Sequence, residues 1–63
     1  MSLGQNIRIK REKAGLSQVE LANKVGVTQS MINQVEKDIK VPNVYIGYDI
    51  AKHLNTTVED LLS

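Results

Sequence analysis

Gln29, Ser30, Asn33 and Gln34 share the outer face of one short helical stretch, a neutral, amide-rich surface where an ordinary solvated helix carries Lys and Glu. A side-chain amide holds a donor beside an acceptor. That pair matches the major-groove edge of adenine, where N6 donates and N7 accepts, and each bidentate match discriminates by about 1–3 kcal/mol. Asn33 lies one turn after Gln29 and can read a base in the same way. The chemistry indicated is recognition of base edges. Nothing in the chain has the makings of catalysis: there is no cysteine, no Ser/His/Asp cluster and no phosphate-cradling glycine loop, and the single histidine, His53, has no evident acidic or nucleophilic neighbour. The same counts exclude a disulfide framework and a thiolate zinc site, so neither metal nor cofactor is expected.

Two further polar residues fall where apolar ones belong. Arg11 follows Ile7 by four residues, as Ile7 follows Leu3, and Glu36 follows Ile32 by four. Each charge therefore faces the packed side of its helix. An unpaired, partly buried charge costs roughly several kcal/mol, so the economical arrangement is a structural ion pair between Arg11 and Glu36 that fixes one helix against another. The alternative leaves both as solvated charges at the edges of their stripes, their long side chains reaching water.

These residues must be positioned by helices. A first helix is expected from about Leu3 to Ala14, with Leu3, Ile7 and Ala14 inward and Gly15 as its left-handed end; Met1 and Ser2 read as a cloning remnant. Ser17 opens a second helix with a capping box to Glu20, flanked by a hydrophobic staple of Leu16 and Leu21. Ala22 is small enough for a close helix crossing, and Gly26 tolerates the bend that follows. Thr28 caps a third helix running to about Lys37, with Ile32 and Val35 inward and Met31 at the margin. Pro42 forces Val41 out of helical geometry, which makes residues 38–43 a loop. A fourth helix is expected from about Val44 to Leu54 with Asn55 as its left-handed end, and Thr57 with Asp60 resembles a second capping box opening a last turn through Leu61 and Leu62. The expectation is an all-α, compact five-helix domain with no internal repeat or linker.

Sixty-three residues make a single domain, 1–63, whose small core favours local helical contacts over sheets. No apolar run approaches the roughly 20 residues of a membrane span, and the start lacks a signal-peptide pattern, so the default location is the cytoplasm. The formal charge is only +1, but its distribution is uneven. Residues 1–40 carry seven basic against four acidic side chains, and residues 41–63 carry one against three. The basic end is the amide-bearing end.

The segment Leu16-Ser17-Gln18-Val19-Glu20-Leu21-Ala22-Asn23-Lys24-Val25-Gly26-Val27-Thr28-Gln29-Ser30-Met31-Ile32-Asn33-Gln34-Val35-Glu36 resembles the helix-turn-helix of the phage repressor and Cro family, also called xenobiotic-response-element-like. The likeness extends over nearly the whole chain, including Arg11, Pro42 and the ending Ile50 to Leu62. It implies a lambda repressor-like domain whose third helix enters the major groove while the second lies across the backbone. By position, Gln29, Ser30 and Gln34 match the family's base-contacting residues and Gln18 a phosphate contact. The capping residues Ser17 and Thr28, with Lys37 and Lys40 beyond the third helix, are expected at phosphates as well. Lys24, Lys52 and His53 are read as surface. Two departures stand out: Asp38 replaces the glycine that often follows the third helix, and Gly47 replaces a large aliphatic residue inside the fourth. A glycine there implies close approach of another group or else a weak helix, and Tyr45, Ile46 and Tyr48 beside it are candidate dimer contacts.

The function expected is sequence-specific binding of double-stranded DNA by a transcriptional regulator, a repressor acting as a homodimer, at least on DNA, at an operator with dyad symmetry. No small-molecule effector or membrane partner is evident. The other reading is an antitoxin or adaptor of the same fold, with Tyr45, Ile46 and Tyr48 meeting a different protein.

Overall fold

Every helix of this protein begins at a Ser, Thr or Asn whose side chain accepts the backbone N–H three residues on. In the computed structural model, which describes residues 1–63, these caps delimit α1 (Leu3–Lys13), α2 (Gln18–Val25), α3 (Gln29–Glu36), α4 (Val44–His53) and α5 (Val58–Leu62). There is no strand. No helix is long and apolar enough to cross a membrane.

The helix ends are equally local. Gly15, Gly26, Asp38 and Asn55 all take positive φ, and each turns the chain after a helix. At Gly26 the N–H groups of Gly26 and Val27 both reach the Ala22 carbonyl, at 2.8 and 3.0 Å, which closes α2 tightly enough for α3 to cross it at once. Ala22 is buried at that crossing.

Ile7, Leu21, Ile32, Val35, Ile50 and Leu61 are fully buried, and Ala22, Ala51 and Leu54 complete the core. Leu3, Leu16, Val25, Val27, Met31, Ile46 and Val58 close its edges. The domain measures only 25 × 23 × 19 Å, so a few long-range contacts orient whole helices. One is the Asn6 side-chain amide, which donates to the Leu61 carbonyl at 2.8 Å and ties α1 to α5.

The structure departs from the sequence expectation in several places. α1 ends at Lys13, and Ala14 is an exposed cap rather than an inward residue. Ser2, set aside in the sequence as a remnant, is the N-cap of α1: its hydroxyl accepts from Gln5 N–H and the Gln5 side chain accepts from Ser2 N–H, both at 3.1 Å. α4 ends at His53 with Leu54 as its cap. At α5 only half of the expected capping box forms, because the Asp60 carboxylate meets the Thr56 hydroxyl at 3.4 Å while Thr57 caps Asp60 N–H.

The largest correction concerns the glycines. A Cβ on Gly47 would meet only Pro42 Cγ, at 4.0 Å, so no backbone approaches that point. The close approach is at Gly4, where a Cβ would collide with the carbonyl oxygens of Val35 and Glu36. The start of α1 thus sits directly against the end of α3. Asp38 seals the junction: at φ 60° its carboxylate accepts the Gly4 N–H at 3.0 Å, a free amide in the first turn of α1. The residue that looked costly for the loop supplies a cap between helices.

Candidate nucleic-acid interface

α3 presents its amide face because its opposite face is consumed by the core. Ile32 and Val35 are buried against α1 and α2, which turns Gln29 and Ser30 into solvent and leaves Asn33 and Gln34 half-buried at the flanks. None of these four side chains bonds within the molecule, and no buried polar side-chain atom lacks a partner, so their donors and acceptors face outward. Thr28 caps Met31 N–H at 3.1 Å, and no acidic residue occupies the first turn of α3. The positive end of this helix is therefore uncompensated.

Beneath that face is the ion pair. Arg11 Nε donates to Glu36 Oε2 at 2.6 Å and Nη2 donates to Oε1 at 3.1 Å, a two-pronged contact between residues only 9% and 7% exposed. Arg11 Nη1 also donates to the Leu16 carbonyl at 2.8 Å, just before α2. The Glu36 hydrogen bond raises the Arg11 guanidinium above its ordinary value despite the opposing pull of burial. The alternative of two solvated charges does not hold. One buried pair joins α1, the start of α2 and the last turn of α3.

Gln18, expected at a phosphate, is drawn into this cluster: its Nε2 donates to Glu36 Oε1 at 3.1 Å. Ser17 is likewise engaged, its hydroxyl accepting from Glu20 N–H at 3.0 Å while Glu20 Oε1 accepts from Ser17 N–H at 2.8 Å. These bonds hold the Glu20 carboxyl below the usual carboxylate value, the Ser17 backbone N–H first and its hydroxyl next. Lys37 is the C-cap of α3 and Lys40 lies in the following loop; both are exposed and neither forms an ion pair.

Away from this face, Tyr45 and Tyr48 are 83% and 62% exposed, whereas Ile46 is partly buried against the core. The exposed apolar neighbours are Val41 and Val44 instead. Both line, with Leu3, Gly47, Tyr48 and Leu62, a groove of about 440 Å³ between α1, the loop, α4 and α5. Sequence periodicity missed this patch because Val41 lies in the loop.

A helix capped without acid, packed on its partner through an alanine and a left-handed glycine and offering amides to solvent, defines a helix-turn-helix domain. A helix-turn-helix family model, HTH_3, matches residues 7–61, and the chain belongs to this family of DNA-binding transcription regulators. Family and fold are those of regulators and not of enzymes. An uncharacterized HTH-type transcriptional regulator of Archaeoglobus fulgidus is 44% identical over 55 residues, covering 87% of this chain and 79% of the relative. One from Mycobacterium tuberculosis is 36% identical over 58 residues, but the chain spans only 41% of its length. Among solved structures, the P22 c2 repressor in complex with a synthetic operator superposes with a TM-score of 0.96 at 30% identity, covering 100% of this chain and 96% of that one. The biofilm regulator SinR in complex with DNA superposes at 0.90 and 31% identity, covering 97% and 98%.

Proposed function

We propose that this protein is a transcriptional repressor that places α3 in the major groove of double-stranded DNA and reads base edges with Gln29, Ser30 and Gln34. The observation that carries this reading is the unspent face: three amide or hydroxyl side chains with no bond inside the molecule, on a helix whose other side is locked by the core and the Arg11–Glu36 pair. The DNA-bound structures that this fold matches support it. Lys40, exposed and unpaired, lies at a phosphate beyond the recognition helix.

The protein acts as a homodimer on an operator with dyad symmetry. One short helix contacts few bases, and a twofold repeat roughly squares the discrimination. Tyr45, Tyr48, Val41 and Val44 supply an apolar surface for the contact, which places half-sites about one helical turn, roughly 34–36 Å, apart. Selecting bound duplexes from a random pool tests both statements: an inverted repeat at that spacing is expected, whereas a pool with no enriched motif would reject base reading. Sedimentation of the complex then counts chains. One chain per selected duplex removes the dimer.

A further inference from the structure

The chain leaves α3 through a left-handed turn at Asp38 that ties the last turn of the helix to the loop beyond it. Asp38 N–H reaches the Val35 carbonyl at 3.1 Å, and the N–H groups of Ile39 and Lys40 both reach the Gln34 carbonyl, at 2.9 and 3.3 Å. The backbone of Lys40 is thus held on that of Gln34. The φ of 60° at Asp38 folds the chain back for these bonds, and that conformation costs an aspartate more than a glycine. Its charge is equally out of place. Asp38 stands in sequence between Lys37 and Lys40, both exposed, yet pairs with neither. A carboxylate free beside them would repel the phosphates for which Lys40 is placed.

That carboxylate is turned onto α1 instead. Its Oδ1 accepts the Gly4 N–H at 3.0 Å, at a helix start that has no acid of its own in the first turn. Gly4 comes so near only because it lacks a Cβ, which would collide with the Val35 and Glu36 carbonyl oxygens and with Asp38 Oδ1 itself. One side chain therefore joins the end of α3, the left-handed turn and the start of α1 across 34 residues of sequence. We propose that Asp38 is a positioning residue for DNA binding: by holding Gly4 N–H it fixes the turn that sets the Lys40 phosphate contact relative to base reading by Gln34. Asp38 itself touches no DNA. A turn held at both ends offers Lys40 in one place before DNA arrives, which leaves less to be ordered on binding. The inference rests on the roles given to Gln34 and Lys40 above.

Asp38→Asn and Asp38→Gly separate the tie from the charge. Both remove the carboxylate and both accept a left-handed φ, but only asparagine keeps an acceptor for Gly4 N–H. Amide exchange at Gly4 should quicken in Asp38→Gly and not in Asp38→Asn; equal exchange in the two would overturn the tie. Binding to the selected duplex and to a random one is then measured across a salt series, well below the melting temperature of each variant, so that lowered stability alone moves neither readout. Asp38→Asn should bind at least as tightly as the wild type, because a negative charge has left the phosphate side. Asp38→Gly should bind both duplexes more weakly than Asp38→Asn, with a salt slope flatter by up to about one unit. Adding Lys40→Gln should cost its full factor in the wild type and in Asp38→Asn but little in Asp38→Gly. Charge alone would make the two variants equal, and equal affinities overturn the proposal. A Lys40→Gln loss undiminished in Asp38→Gly overturns it too, and leaves the DNA reading intact. No wild-type binding to any duplex, or a Lys40→Gln salt slope equal to that of the wild type, fails the reading underneath and overturns both together.

Discussion

The starts of α2 and α3 are two helix N-termini built from nearly the same parts and put to opposite uses. Ser17 and Thr28 each cap the N–H three residues on. At α2 the remaining polar groups turn inward: Glu20 closes the box on Ser17, and Gln18 donates to buried Glu36. At α3 no carboxylate occupies the first turn, and Gln29 and Ser30 bond to nothing within the molecule. What differs between the two ends is the side chains: a carboxylate stands over the first turn of α2, and none stands over the free N–H groups that open α3. The start of α2 lies against the last turn of α3, where Gln18 meets Glu36, and the length of α2 separates it from the start of α3.

The comparison is broken most severely from below. Arg11→Met or Glu36→Met leaves the surviving partner poorly compensated and should destabilise the fold by about 3–5 kcal/mol, the second change also removing the acceptor of Gln18. An apolar double replacement should recover much of the loss, and denaturant titration of all four proteins supplies the cycle; additive single effects would mean the pair contributes no coupling. Gly4→Ala strikes the same end of α3 from α1. Its Cβ meets two backbone oxygens, and the backbone shift required should cost about 1–3 kcal/mol or more, whereas Gly47→Ala, with open space around it, should be neutral to stabilising by up to about 1 kcal/mol. Equal thermal shifts for the two would contradict the close approach at Gly4.

At α3 the expected loss is in binding, not stability. Gln29→Ala or Gln34→Ala should weaken the preferred duplex by about 1–3 kcal/mol with little change on random DNA and an unaltered melting temperature. Equal losses on both duplexes would remove these residues from base reading. Ser17→Ala should do the reverse, lowering stability by about 1 kcal/mol while the ratio of specific to random affinity is kept.

The smallest effect sharpens the contrast through pH. Because the folded-state carboxyl of Glu20 titrates below its unfolded value, its ionised form stabilises the fold above the ordinary glutamate range, about pH 4.3 and upward, and that contribution disappears as pH falls through the lowered value. The stability gap between wild type and Glu20→Ala should therefore be widest near neutral pH and narrow in acid. A gap that widens on acidification would have the wrong sign for this cap.

The helices, the caps at Ser17, Thr28 and Thr57 and the amide face were legible in the sequence because each depends on residues within four positions of one another, such as Ser17 with Glu20, Thr28 with Met31, Ile32 with Gln29 and Val35, whereas the caps at Ser2 and Asn43 were not read. The Arg11–Glu36 pair was legible too, although its members are 25 residues apart, because a charge on an apolar stripe demands a partner. What lay outside local reach was decided by packing. The Gly4–Asp38 seal spans 34 residues and the Asn6–Leu61 bond 55, and neither glycine nor asparagine advertises such a contact by its type. The direction of Gln18 was open in the same way: nothing within its own helix says that its amide meets a carboxylate, which arrives with Glu36 from α3. Ile46 and Tyr45 are adjacent in sequence, yet one is covered and the other bare because α4 lies with one side on the core. Hydrogen bonds within a turn are written by spacing; which side chain ends up opposite which, across helices, is set by how the whole apolar surface closes.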